Sequence, residues 1–147
     1  MTMDSLIKKA VAKTGESIKL KRRNAQPEAI EQANVIAWAK RHEHIYPYLW
    51  LLHCSLNGVK MTKAQAVRAI AQGMKKGVAD LFLPVKKGVY SGLYIEMKSE
   101  KGRTSIDQSK FLTAVSENDY LAHICYSADD AIDKIKGYYN QSNWDNI

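Results

Sequence analysis

No apolar run in this chain approaches the roughly 20 residues that cross a bilayer, and no apolar block near the N-terminus resembles a secretory signal. A membrane-spanning or exported protein is therefore not expected, and the chain reads as intracellular. Cysteine is scarce. Cys54 and Cys125 lie far apart, with no C-x-x-C pair, which argues against a disulfide framework and a thiolate zinc site. Each sits in an apolar run, so both are expected as buried thiols. The histidines, His42, His44, His53 and His123, show no ligand spacing. There is no internal repeat, low-complexity segment or linker. With 147 residues and 46% hydrophobic content, the chain is long enough to bury one real core.

Acidic residues are also missing where basic ones gather. The net charge is +7, and residues 1–26 carry Lys8, Lys9, Lys13, Lys19, Lys21, Arg22 and Arg23 against only Asp4 and Glu16. Residues 60–76 add Lys60, Lys63, Arg68, Lys75 and Lys76 with no acid at all. Two such blocks suit a polyanion, and phosphate backbones dominate affinity for nucleic acid.

The pattern predicts a basic arm over residues 1–26, with a short amphipathic helix at 4–13, followed by one domain over 27–147. Pro27 suits a helix start, with Glu28 and Glu31 complementing its positive end, and the helix PEAIEQANVIAWAKRH should reach about His42. YPYLWLLHCS reads as a buried strand, and Asn57-Gly58 as a turn. Thr62 caps a second helix that Gly73 and Gly77 close. LFLPV and VYSGLYIEMK are strands joined around Lys86-Lys87-Gly88. Ser105 caps a third helix, YLAHICYS is a strand, and ADDAIDKIKGYY is the last helix. The class is α/β, a mixed central sheet flanked by helices.

The chemistry concentrates in GLYIEMKSEKG, residues 92–102. Side chains alternate along a strand, so Glu96 and Lys98 share a face. An ion pair is the simplest reading of that alone. If the two middle strands form a hairpin centred on Gly88, antiparallel partners have numbers summing to 176, and Asp80 falls opposite Glu96, with Cβ atoms about 5 Å apart. Two carboxylates so close repel each other unless a cation lies between them. All-oxygen ligation suits Mg²⁺ or Mn²⁺ rather than zinc. A metal so held activates water and neutralises a phosphoryl oxygen, and Lys98 would orient the water or stabilise the charged transition state.

The ordered set P27-E-A-I-E-Q32 with Trp38, G77-V-A-D-L81, and G92-L-Y-I-E-M-K-S-E-K-G-R-T-S-I-D-Q108 resembles the VRR-NUC nucleases of the restriction-endonuclease-like PD-(D/E)XK superfamily, over roughly residues 27–136. Ala79 stands where the superfamily name expects proline. The resemblance implies Asp80 and Glu96 as metal ligands, Glu28 as the third acid with Glu31 in reserve, Lys98 as the catalytic lysine, and Gln108 as a supporting or substrate-contacting residue. It also implies a homodimer cutting branched DNA, four-way junctions above all, in a bacterial or phage-infected cytoplasm and without a nucleotide cofactor. The apolar YPYLWLL stretch and the 60–76 helix are the candidate dimer interfaces. Lys101 and Arg103 are expected on backbone phosphates, with Arg68, Lys75, Lys76, Arg22 and Arg23 gripping the flanks. Two alternatives are cleavage of flap, duplex or single-stranded ends, and a non-catalytic DNA-binding protein on the same fold.

Overall fold

The computed structural model describes residues 27–141; the expected helix at 4–13 and the Arg22 and Arg23 contacts lie outside the described residues. Helix α1 (Pro27–His42) begins with proline, carries Glu28 in its first turn, and ends on Lys40, Arg41 and His42. All these choices agree with the helix dipole. Val35, Trp38 and Ala39 form its buried stripe.

The apolar stretch after α1 is not the buried strand its composition predicts. Tyr48 takes φ 64°, and Leu49–Leu51 form a single 3₁₀ turn, closed by Leu51 N donating to Tyr48 O and Leu52 N donating to Leu49 O. Leu49 alone of the stretch is fully buried, Tyr46, Leu51 and Leu52 pack partly covered against the core, and Tyr48 and Trp50 stay exposed. The turn meets the backbone hydrogen-bonding requirement locally, and strand β1 shrinks to His53–Cys54, with both side chains exposed. Cys54 is thus not a core thiol; Cys125 is buried as expected.

Helix α2 (Lys63–Ala71) is capped by Thr62 in a capping box with Gln65 and stands between β1 and β2 (Leu81–Leu83). Strand β3 (Gly92–Met97) leads through α3 (Ile106–Glu117) to β4 (Tyr120–Cys125) and α4 (Ala128–Tyr139). The four-stranded sheet runs β1-β2-β3-β4. Its first two pairings are antiparallel, and β3 and β4 are parallel, which is what a helical crossover permits.

The sheet's two faces differ. Leu81, Leu83, Leu93, Ile95 and Met97 are buried in one cluster with Val35, Ala131, Ile135 and Tyr138, so α1 and α4 cover the odd-numbered face of β2 and β3. On the even face Phe82 stacks on Tyr94 with ring centroids 4.2 Å apart, and Tyr94 meets Phe111 of α3 edge-on. Glu96 lies on that second face, under the start of α3.

Candidate active site

The hairpin register places the carboxylates. Leu81 pairs with Ile95, Phe82 with Tyr94 and Leu83 with Leu93, each pair of numbers summing to the expected 176, although the turn itself closes on Lys87 and Tyr90, one off that register, and one extra residue in the 84–86 stretch absorbs the difference. One step further puts Asp80 opposite Glu96. Asp80 Oδ2 accepts a hydrogen bond from Met97 N at 2.7 Å, which ties the end of the Gly77–Asp80 loop to the end of β3. Lys98 lies just past β3, and its N–H donates to Cys125 O at 2.9 Å, so the ladder pattern still orients its side chain beside that of Glu96. Lys98 Nζ donates to Glu96 Oε1 at 2.7 Å, and both residues are nearly sealed from solvent, at 8% and 0% exposed.

Gln108 completes this cluster from α3. Its Oε1 accepts from Ser105 N at 2.8 Å, its own N–H donates to Ser105 Oγ at 3.2 Å, and its Nε2 donates to Glu96 Oε1. One amide thus closes the cap of α3 and holds the Glu96 carboxylate. Because the cap occupies the amide oxygen, the NH₂ is the group left for Glu96.

The two first-helix glutamates divide. Glu28 Oε1 accepts from Ser99 N at 3.0 Å, directly after Lys98, and Glu28 lines a cleft of about 460 Å³ together with Asp80, between α1 and residues 54–59. Glu31 turns away: its Oε2 accepts from Ala128 N, the first residue of α4, where a carboxylate complements the helix dipole. Among the described residues, no three His, Cys, Asp or Glu side chains close around one point. The expected gathering of Glu28, Asp80 and Glu96 is therefore incomplete, since Glu28 reaches the same rim from the opposite layer with one oxygen on the Ser99 amide.

Both carboxylates sit where burial and a neighbouring carboxylate disfavour their charge. Burial pushes the Asp80 carboxyl above its ordinary range, against the Met97 N–H and Lys98, and Glu28 pushes it further up. Burial also raises Glu96, opposed by the Lys98 hydrogen bond and reinforced by Asp80. Glu96 Oε2 is buried with no hydrogen-bond partner, a condition that costs about 1–3 kcal/mol or more for a charged group. An orphaned carboxylate oxygen opposite a second carboxylate is a donor set that fits Mg²⁺ or Mn²⁺, with Asp80 and Glu96 as the groups that would hold it.

Folded-state pKa values above the unfolded ones of about 3.8 and 4.5 mean that the metal-free fold loses stability as pH rises from that range through the raised values. Asp80→Asn keeps an acceptor for Met97 N and removes one charge. It should melt a few degrees higher than the parent at neutral pH without metal, with the gap closing toward pH 4; a scan of melting temperature against pH checks this.

Lys101 and Arg103 are exposed in the loop that leaves the site, and Arg68, Lys75 and Lys76 are exposed between β1 and β2. Sequence reading missed several supporting groups. Asn57 is more than a turn residue, since its Nδ2 donates to Lys75 O at 3.0 Å and Val78 O at 3.2 Å, clasping the segment that carries α2. The Ser99 amide gives no side-chain signal at all. Ser105 was legible as a cap, but its hold on Gln108, and through it on Glu96, needs the fold.

Opposed carboxylates, a buried lysine beside them and a basic insert free of acidic residues thus meet at one sheet end. The VRR-NUC domain model matches residues 18–129, and the chain belongs to the VRR-NUC family. A solved structure described as a VRR_NUC domain protein superposes with a TM-score of 0.65 at 25% identity, over 78% of this chain and 89% of that one. No curated protein matches the chain. Among the described residues no helix is long and apolar enough to cross a membrane.

Proposed function

We propose that this chain is a Mg²⁺- or Mn²⁺-dependent DNA endonuclease that hydrolyses phosphodiester bonds in branched DNA, with four-way junctions as its main substrate. The observation that carries the reading is the register that sets Asp80 against Glu96, with Lys98 on the same face and one Glu96 oxygen unpartnered. A divalent ion between the carboxylates would lower the pKa of a bound water and offset charge on the phosphate. Lys98 supplies a fixed positive charge beside the attacked phosphate, where a preorganised donor stabilises the developing oxyanion. Gln108 keeps Glu96 aimed, and Glu28 holds the start of the loop that carries Lys101 and Arg103.

The exposed Lys and Arg side chains of that loop and of α2 would grip backbone phosphates on either side of the cut. Exposed Ile45, Tyr48 and Trp50 lie at the sheet end opposite the site and offer an apolar surface for a twofold partner, which suits a twofold junction.

The test is a panel of labelled four-way, flap, duplex and single-stranded DNAs incubated with Mg²⁺, Mn²⁺ or EDTA. The reading expects paired cuts near the junction centre with either metal and none in EDTA. Faster cutting of flaps or linear ends would move the substrate assignment, and no product with any divalent ion would favour a non-catalytic DNA-binding role.

A further inference from the structure

The segment from Ser55 to Ala79 is an insert on the rim of the candidate site, and it is firmly rooted there. Ser55 N donates to Asp80 O at 2.8 Å, Asn57 clasps the far end, and Gly77 passes hard against the backbone of Asp107. Residues 57–79 contain no Asp or Glu, and Lys60, Lys63, Arg68, Lys75 and Lys76 are all exposed.

Yet the same insert exposes large apolar side chains: Leu56 at 60%, Val59 at 56%, Val67 at 67% and Ile70 at 56%. Helix α2 buries none of its residues fully. Ala66 and Ala69 are its half-covered positions. Val67 and Ile70, three residues apart, form a neighbouring stripe with Lys63 one turn before Val67. Val59, at the foot of the insert, lines the cleft that Glu28 and Asp80 share.

The charge around this stripe chooses among partners. A second copy docked isologously would bring five exposed cations against the same five. A polyanion that also offers apolar faces is nucleic acid with its bases unstacked, which proteins meet with apolar wedges flanked by cations. We propose that Val67 and Ile70, with Val59 at their foot, form a wedge against unstacked bases at the branch point, while the insert's lysines and Arg68 hold the adjoining phosphates. The insert that carries α2 is tied to Asp80 O through Ser55 N, which roots the wedge at the same rim as the carboxylates. The assignment rests on the nuclease reading above and deepens it.

The experiment needs no cutting. Parent and Val67→Ser/Ile70→Ser proteins are titrated in EDTA into a linear duplex and a four-way junction, the latter carrying 2-aminopurine at the branch. A wedge predicts duplex binding unchanged within about twofold and junction binding weakened by roughly tenfold or more, since burying one exposed aliphatic side chain is worth about tenfold or more in affinity. The 2-aminopurine should brighten with the parent and stay dim with the variant. Val67→Lys/Ile70→Lys separates apolar contact from charge: it should bind duplex more tightly yet lose the base signal. Unchanged junction binding, or equal losses on both DNAs, would overturn the proposal. So would a shift from dimer to monomer in sedimentation with the base signal intact, which would make the stripe a self-association surface. If the parent cuts nothing, the nuclease reading fails while this readout still stands or falls by itself.

Discussion

Lys98→Ala should abolish cutting and leave junction binding largely in place. Lys98 Nζ is the positive group nearest the carboxylate pair, 2.7 Å from Glu96 Oε1 and almost fully buried, so no bulk water stands in for it. Removing one preorganised donor to a developing oxyanion costs about 10²–10³-fold in rate, and here the donor carries a full charge. Its loss also leaves the Glu96 carboxylate buried with only the Gln108 amide, so the variant should melt lower than the parent. Asp80→Asn separates the two consequences. It should cut at least about 10³-fold more slowly for want of a metal ligand, while melting higher at neutral pH because a buried charge is gone. Single-turnover cleavage and thermal melting on both variants check the pair. Near-parental cutting by either would remove that residue from the site.

Gly77→Ala should break the fold around the site. Gly77 has φ +83°, and a Cβ there would lie 2.5 Å from the carbonyl carbon of Asp107 and 2.6 Å from its oxygen. Left-handed strain on a non-glycine residue costs about 1–3 kcal/mol, and the overlap is with helix backbone, which cannot step aside as a side chain would. The total should exceed about 3 kcal/mol, a large share of a domain's stability. The damage is local to function as well, because Asp107 precedes Gln108 and Gly77 is three residues from Asp80. Denaturant unfolding measures the loss. Gly73→Ala is the control, since its φ is also positive but its Cβ would meet nothing within 4 Å; it should cost clearly less.

Much of this site was legible because its signals are local and periodic. Period-2 alternation placed Glu96 and Lys98 on one face, and a hairpin about Gly88 gave the register that brings Asp80 across, although the turn closes on Lys87 and Tyr90 and the extra residue that restores the register carries no local signal. The caps at Thr62 and Ser105 were readable from hydroxyl residues followed three positions later by glutamine, and both close as full capping boxes. Long-range pairings were not legible. Nothing local distinguishes Glu28 from Glu31, which lie one turn apart in the same helix; only docking of α4 sends Glu31 to Ala128 N and leaves Glu28 for Ser99 N. The apolar stretch before β1 misled for a related reason. Composition reports burial, and whether that backbone extends or turns depends on Tyr48 adopting a positive φ, a choice that hydrophobicity does not encode.

The central claim is that Asp80 and Glu96 share one divalent ion. Calorimetric titration of Mn²⁺ into DNA-free parent, Asp80→Asn and Glu96→Gln tests it without any reaction. The account predicts saturable binding by the parent and its loss in both variants. Parent-like affinity in either one would mean that the ion, if it binds at all, is held elsewhere.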